Sequence, residues 1–496
     1  MTWPELIGTA LLGTDRRGGE PTALLATAAT ETVRRRAGLR PATAAERPAP
    51  AQPDSRPALP DAARRRLALL LADRKGAGTG GSQRNAAPNL GELLPQWLAA
   101  ANARGYGAPP ALLPALLDAA RARTDLRAEA LTLAGPRALW LAGLNPDWRY
   151  ALRTGAMAPR LDPGVWEEGL FAERVAHLGR LRASDPEAAL ALLRTTWATE
   201  RAEDRLMFVD SLREGLSPAD EPFLEQALSD RSRNVRATAA ELLSALPGSA
   251  LGARMAGRAR SCVSMAGAGE RIVVEAPYEC DAAMERDGIV PVPPAGRGER
   301  AWWFGQLVDA TPLAAWRERF GGRTAEQILA LPVADEWQSD LHAAWCRAAV
   351  RQRDADWARA LLGQAPVGDP AKLLSVLPPQ ERAAWVARFV ASNGLSEAFQ
   401  MLAVCEVPWA GPLGRAVVDA LDIARDAGNY PWSFSGVMGL AERCLDPAEA
   451  DRATPLTAIP DESADATPGA GVYWAEAFQR LVGTLRLRAE MLAELG

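Results

Sequence analysis

Apolar residues recur along most of this chain at three- and four-residue steps, the period of a helix with one buried face. Residues 184–246 show it most clearly. Leu190, Leu193 and Trp197 share one face, and Leu206, Val209, Leu212 and Leu216 the next. Phe223, Leu224, Ala227 and Leu228 form a third, and Val235, Ala239, Leu242, Leu243 and Leu246 a fourth. The stretches between them are short, so successive helices are antiparallel neighbours. The same period predicts helices over 3–13, 21–36, 61–73, 89–104, 109–122 and 124–141, and a further series from Glu299 to a last helix over 472–494. Asp185-Pro186, Asp369-Pro370 and Asp446-Pro447 each set a capping carboxylate before a proline at the first helical position.

The pattern breaks in a few places. Residues 41–60 are rich in Ala and Pro and read as a linker; Gly76 to Ser82 is glycine-rich. Arg271-Ile-Val-Val-Glu275 is β-branched and predicts a short strand, and Pro291 to Gly298 an extended loop. The organisation expected is N-terminal helices 1–40, a linker 41–60, a helical domain 61–160, helix-pair repeats 161–260, an irregular insertion 261–300, a second helical half 301–453, a linker 454–471 and a C-terminal helix 472–496. The fold class is all-α, an α–α superhelix with one or two short strands.

Composition narrows the function more than the fold. A length of 496 residues implies two to four domains or one long repeat array. The net charge of −5 argues against a general duplex binder, which would be basic. Lys75 and Lys372 are the only lysines, so nearly all positive charge is arginine; a GC-rich bacterial genome explains that as well as an arginine-specific role. Cys262, Cys280, Cys346, Cys405 and Cys444 are scattered and include no CxxC, which reads as free thiols in a reducing compartment. The start, Met1-Thr-Trp-Pro-Glu5, lacks the basic region of a secretion signal, and no apolar run reaches the roughly 18 residues of a membrane span. A cytoplasmic location is expected.

Residues 228–243 resemble the HEAT-repeat family. Leu228, Asp230, Val235, Arg236, Ala239, Ala240 and Leu243 stand at the spacing such units use. Leu228 ends the first helix of the pair, Asp230 offers its carboxylate to N–H groups at the next helix start, and Ala239 and Ala240 let helices approach closely. Arg236 is expected to pair with an Asp of the neighbouring repeat. One pair cannot bury its own face, so its neighbours must stack on it. The chain as a whole is similar to an uncharacterised bacterial family, through Leu6–Arg16, through Pro277–Asp281 with Arg286–Ile289, and through Gly298–Trp303. The resemblance implies no assigned activity. It does imply genes nearby for SWIM zinc-finger proteins, MoxR-type AAA ATPases and von Willebrand factor A proteins, and hence a part in an ATPase-linked assembly.

Candidate chemistry is sparse. Gly76-Ala-Gly78-Thr-Gly-Gly81 matches GxGxxG, but a dinucleotide loop needs a strand before it and a helix after, and Lys75 precedes the glycines where a phosphate loop needs its lysine after them. His342 and Cys346 share a helix face, yet Leu341, Trp345 and Ala349 surround them with core. Asp281, Glu285 and Asp287 have oxygen ligands for a hard cation, but Arg286 lies between the last two and local ion pairs are the simpler reading. Two histidines and no paired cysteines leave no ordinary zinc site. Arg34–Arg36 and Arg64–Arg66 read as solvated faces. Arg297, Arg300, Trp302 and Trp303 have the composition of an interface hot spot and are the candidate partner-binding residues. No catalytic residue, cofactor or metal is expected. The reading is a non-catalytic interaction scaffold or adaptor with a protein partner, of which a MoxR-type ATPase or a von Willebrand A protein is the class the resemblance implies. The alternative is a HEAT-like nucleic-acid-associated protein shaped like the alkylpurine glycosylases, which needs a basic cleft.

Overall fold

The protein, seen in a computed structural model that describes residues 3–17, 19–38, 48–72, 89–154, 163–364, 368–459 and 469–496, is all-α with one small strand pair. It divides into two compact units, Met1–Pro53 and Asp54–Gly496. The first holds α1 (Trp3–Leu12), α2 (Thr14–Arg17) and α3 (Pro21–Gly38). Leu6 and Thr9 are its buried residues among those described. The Arg35 guanidinium lies 4.4 Å from the centroid of the Trp3 ring and clips α3 to α1 by a cation–π contact.

The second unit opens on a group of five helices: α4 (Asp61–Ala72), α5 (Leu90–Ala103), α6 (Leu113–Ala122), α7 (Arg127–Leu144) and α8 (Tyr150–Thr154). Residues 54–59 lie within the stretch read as a linker, yet they form a wall of this group. Arg56 donates to Asp54 and to the carbonyls of Tyr106, Thr132 and Leu133, and Leu59 is buried. The close approach depends on Gly135, which interrupts α7 at φ +64°; a Cβ there would stand 2.1 Å from the Arg56 Nη2.

From residue 163 onward the helices form a ladder. It runs through α9 (Pro163–Glu168), α10 (Phe171–Ser184), α11 (Pro186–Thr196), α12 (Ala202–Asp210), α13 (Glu221–Ala227), α14 (Arg233–Ser244) and α15 (Ala250–Cys262). After the insertion, with its short α16 (Ala282–Arg286), come α17 (Glu299–Ala310), α18 (Leu313–Arg319), α19 (Ala325–Leu329), α20 (Gln338–Gln352), α21 (Ala355–Leu362) and α22 (Pro370–Val376). The last section is α23 (Pro379–Asn393), α24 (Leu395–Leu402), α25 (Gly411–Asp426), α26 (Ser435–Cys444), α27 (Ala450–Ala453) and α28 (Ala470–Ala493). Helices touch the next one along and the one beyond it: α10 meets α11 and α12, α12 meets α14, α23 meets α24 and α25, and α24 meets α26. One continuous core runs from Trp166 to Leu485. The Asp-Pro starts behave as their chemistry requires. Asp185 accepts from the Ala188 N–H, Asp369 from Ala371 and Asp446 from Ala448.

The insertion contains the predicted strand. β2 (Arg271–Val274) pairs antiparallel with β1 (Val263–Ala266), and Ile272 also bridges to Val333. After that bridge α20 begins at Gln338, because Asp335 and Glu336 adopt positive φ to turn the chain out of it.

Periodicity gave no sign of how the ladder ends. The first half of α28 contributes Trp474, Phe478, Leu481 and Leu485 to the long core, while Met491 and Leu495 complete the core of the opening group beside Leu67, Trp97 and Leu98. Arg66 holds Glu494 at 2.7 Å, and the Tyr106 hydroxyl donates to the Leu495 carbonyl at 3.0 Å. Arg488 is buried between the two cores; it donates to Gln96 Oε1 at 3.1 Å and to the carbonyls of Glu442 and Leu445. Burial pushes its pKa down. Residues 454–459, also read as linker, include a 3₁₀ turn, Thr454–Thr457, with Leu456 buried and packed on α28. No helix among the described residues is long and apolar enough to cross a membrane.

A second buried guanidinium organises the start of the ladder. Arg182 of α10 uses all five N–H groups: Nε to Glu214 O, Nη1 to Pro186 O and Asp220 Oδ1, Nη2 to Leu212 O and Asp220 Oδ2. Its side chain is wholly buried, and Asp220 also accepts from the Ser217 N–H.

Arg182→Met strands a buried carboxylate and should cost about 3–5 kcal/mol in urea unfolding. Adding Asp220→Leu should recover part of that loss; a double variant as unstable as the summed single variants would contradict the pairing. Met491→Asp should speed amide exchange in α4–α7, read by mass spectrometry, while α10–α15 stay protected.

Candidate functional site

The residues read as a helix-pair unit lie at the end of α13, in the turn after it and on α14. Leu228, Val235, Ala239 and Leu243 are buried. Asp230 accepts from the Ser232 N–H at 2.8 Å, as its place in the turn requires. Its carboxylate is also held by Arg205 of α12, at 2.8 and 3.0 Å. Arg236 therefore does not reach a neighbouring aspartate; it donates to the carbonyls of Asp230 and Arg231, at 2.8 and 3.2 Å. The reason is register. Arg236 stands one turn into α14, directly over the turn that precedes it, and the link to Asp230 from a neighbouring helix is made by Arg205 of α12.

The four residues expected to bind a partner hold the insertion in place. The indole N–H groups of Trp302 and Trp303 donate to consecutive carbonyls, Val290 at 2.7 Å and Pro291 at 2.8 Å. Adjacent residues on a helix point about 100° apart, and the loop wraps far enough round α17 to meet both. Arg300 donates to the carbonyls of Ala276 and Pro277 and lies 4.2 Å from the centroid of the Tyr278 ring. Arg297 pairs with Asp340 at 2.9 Å. Gly288, at φ +94°, presses on Ala240 of α14, where a Cβ would come within 2.3 Å.

The acidic cluster separates into two roles. Asp281 caps α16 by accepting from the Met284 N–H at 2.7 Å. Asp287 is buried and faces Arg254, Arg258 and Arg286 at 2.7–3.0 Å. Burial pushes its carboxyl upward, but hydrogen bonds from the three arginines outweigh that and hold it below the usual carboxylate value. His342 and Cys346 are both buried in α20. Burial raises the Cys346 thiol to about 11 and lowers the His342 imidazole, so both favour their neutral forms rather than a thiolate–imidazolium pair. The Gly76–Gly81 motif lies outside the described residues. In the basic runs, Arg64 pairs with Asp61 at an exposed position, whereas Arg66 is mostly buried on Glu494.

A groove of about 830 Å³ opens on the ladder between α23 and α25. Ala384, Ala387 and Ala391 line it from α23, and Ala416, Ala420 and Ile423 from α25. Ile423 is 69% exposed, unusual for an isoleucine on a packed helix. Arg388 and Arg415 stand on opposite walls, and neither has a hydrogen bond or ion pair among the described residues; Arg388 reaches Glu381 only as a field, and that carboxylate is taken by Arg359. Asp419, also on the rim, is paired with Arg452 at 2.6 Å. Beyond the end of α25 the turn Gly428–Pro431 sets Tyr430 and Trp432 in a stack, centroids 4.1 Å apart, with Tyr473 edge-on to Trp432 at 5.4 Å. Trp432 and Tyr473 are about half exposed. The indole N–H of Trp474 fixes this turn through the Asn429 carbonyl.

Neither feature stands out in the apolar pattern of the chain. Alanines at three- and four-residue steps look like core positions, and only the missing neighbour distinguishes a groove floor from a core. Tyr430-Pro-Trp432 after Gly428-Asn429 was a visible signal, since aromatics in a turn have no helix to face.

Asp287→Asn should lower stability by about 2–4 kcal/mol at neutral pH, because three cations lose a buried counter-charge. A carboxyl held low in the folded state stabilises above its unfolded pKa, near the ordinary 3.8, and that contribution is lost as pH falls below it. Thermal midpoints of wild type and variant should thus converge under acid; a constant gap down to low pH would exclude the ionic origin.

No curated protein and no solved structure matches the chain. One family model matches residues 5–495, nearly the whole length. The chain belongs to that family, DUF5691, a family of unknown function.

Proposed function

We propose that this protein is a non-catalytic interaction scaffold, a HEAT-like stack of helix pairs that holds a protein partner. The observation that carries the reading is the open α23/α25 groove, apolar along its floor and flanked by unpaired arginines. A folded helix pair has no internal use for such a surface, and stacked pairs in general present extended faces for other proteins. The cluster of half-buried Tyr430 with the exposed Trp432 and Tyr473 adds the residue types that anchor interfaces. Five free thiols suit a reducing, cytoplasmic setting. The partner class follows from the family resemblance alone: a MoxR-type AAA ATPase or a von Willebrand A protein in the same assembly.

Native affinity purification of the tagged full-length chain, with and without ATP, tests this. The expected result is a stoichiometric protein, identified by mass spectrometry, that rebinds when purified and mixed. Recovery of an AAA ATPase that changes with nucleotide would place the scaffold in that system. A bait that returns no protein, or returns only nucleic acid released by salt, overturns the reading.

A further inference from the structure

We infer that the α23/α25 groove takes an acidic amphipathic helix of the partner protein. This deepens the scaffold reading and rests on it. The floor is made by the methyl groups of Ala384, Ala387, Ala391, Ala416 and Ala420. Such short side chains let a docked helix bring its backbone close, and they favour a helix whose own larger side chains fill the trough. The lining residues of α25 run from Pro412 to Ile423, about 17 Å at 1.5 Å per residue, which is room for three turns. The guest therefore carries apolar residues at i, i+4 and i+7 on the face it buries.

Charge sets the rest of its chemistry. The acid at the rim, Asp419, is neutralised by Arg452, and the nearby Glu381 is held by Arg359. What remains is one cation on each wall, Arg388 from α23 and Arg415 from α25, both exposed. A guest with carboxylates on both flanks of its apolar stripe satisfies both walls; a basic guest is repelled by both. Arginine also suits the task, because its planar fork takes a carboxylate in two parallel hydrogen bonds.

The test uses the full-length protein and a fluorescein-labelled 14-residue helical peptide, with Leu on one face and Glu on both flanks. A second peptide has Lys in place of every Glu. Fluorescence anisotropy should show the Glu peptide binding at least about tenfold tighter than the Lys peptide. Arg388→Glu with Arg415→Glu should reverse that order, and Ala391→Trp, which fills the trough from an exposed position, should abolish binding of both. Thermal midpoints of these variants should match wild type, since none of the three side chains holds a structural bond. Failure of the Glu peptide to bind, equal binding of the two peptides, or binding that survives Ala391→Trp overturns the inference. Sedimentation of the protein alone covers the other occupant: a dimer lost on Ala391→Trp would assign the groove to a second copy. These outcomes are separable from the scaffold test. A partner recovered undiminished by Ala391→Trp keeps the scaffold and removes the groove as its site.

Discussion

A chain folded into many short helices leaves carbonyls without an intrahelical partner at every helix end. Guanidinium groups fill that need at joint after joint in this protein. Arg382 donates to four carbonyls, those of Leu374, Ser375 and Leu377 around the end of α22 and that of Val404 beyond α24. Arg56, Arg182, Arg236 and Arg488 do the same at other turns. A lysine has one ammonium and cannot span several acceptors in a fixed plane. Codon bias can supply arginine in quantity, but these positions use its geometry. The joints decide how each helix meets the next, so the ladder rests on them more than on any single apolar contact.

The same residue type ties in the insertion. Arg254, Arg258 and Arg286 converge on Asp287, Arg300 holds two carbonyls just past β2, and the paired tryptophans hold the outgoing loop. Two of the stretches that carry the family resemblance, around residues 277–289 and 298–303, lie within this construction. The arginines and tryptophans of 297–303 suggested an interface, and the acids of 281–287 local ion pairs. In the fold both stretches fasten an irregular segment to regular helices, where hydrogen bonds and ion pairs replace the apolar periodicity that the segment lacks.

Local signals were the legible ones. Each Asp-Pro pair caps a helical turn, the β-branched run at 271–274 is a strand, and Leu228, Val235, Ala239 and Leu243 are core. These follow from neighbours a few residues apart. The partner of Arg236 was misjudged because it depends on which helix supplies the arginine to the neighbouring turn. The contact of α28 with α4 and α5 was invisible, since no periodicity relates Glu494 to Arg66 or Arg488 to Gln96. The groove was hidden for the opposite reason: its alanines show the period of buried residues, and no helix among the described residues covers them.

Because α28 completes the core of the opening group, order of synthesis and order of folding cannot coincide. Within this unit α4–α8 leave the ribosome before the rest, yet two side chains that close their core, Met491 and Leu495, follow more than three hundred residues later. At a translation rate of about 5–20 residues per second, the interval lasts tens of seconds. Through that time the face around Leu67, Trp97 and Leu98 lacks its cover, while the helices from α10 onward can pack on their neighbours as they appear. The earliest part of this unit to be made is thus the last to be finished, and it is where a nascent chain needs protection from other nascent chains.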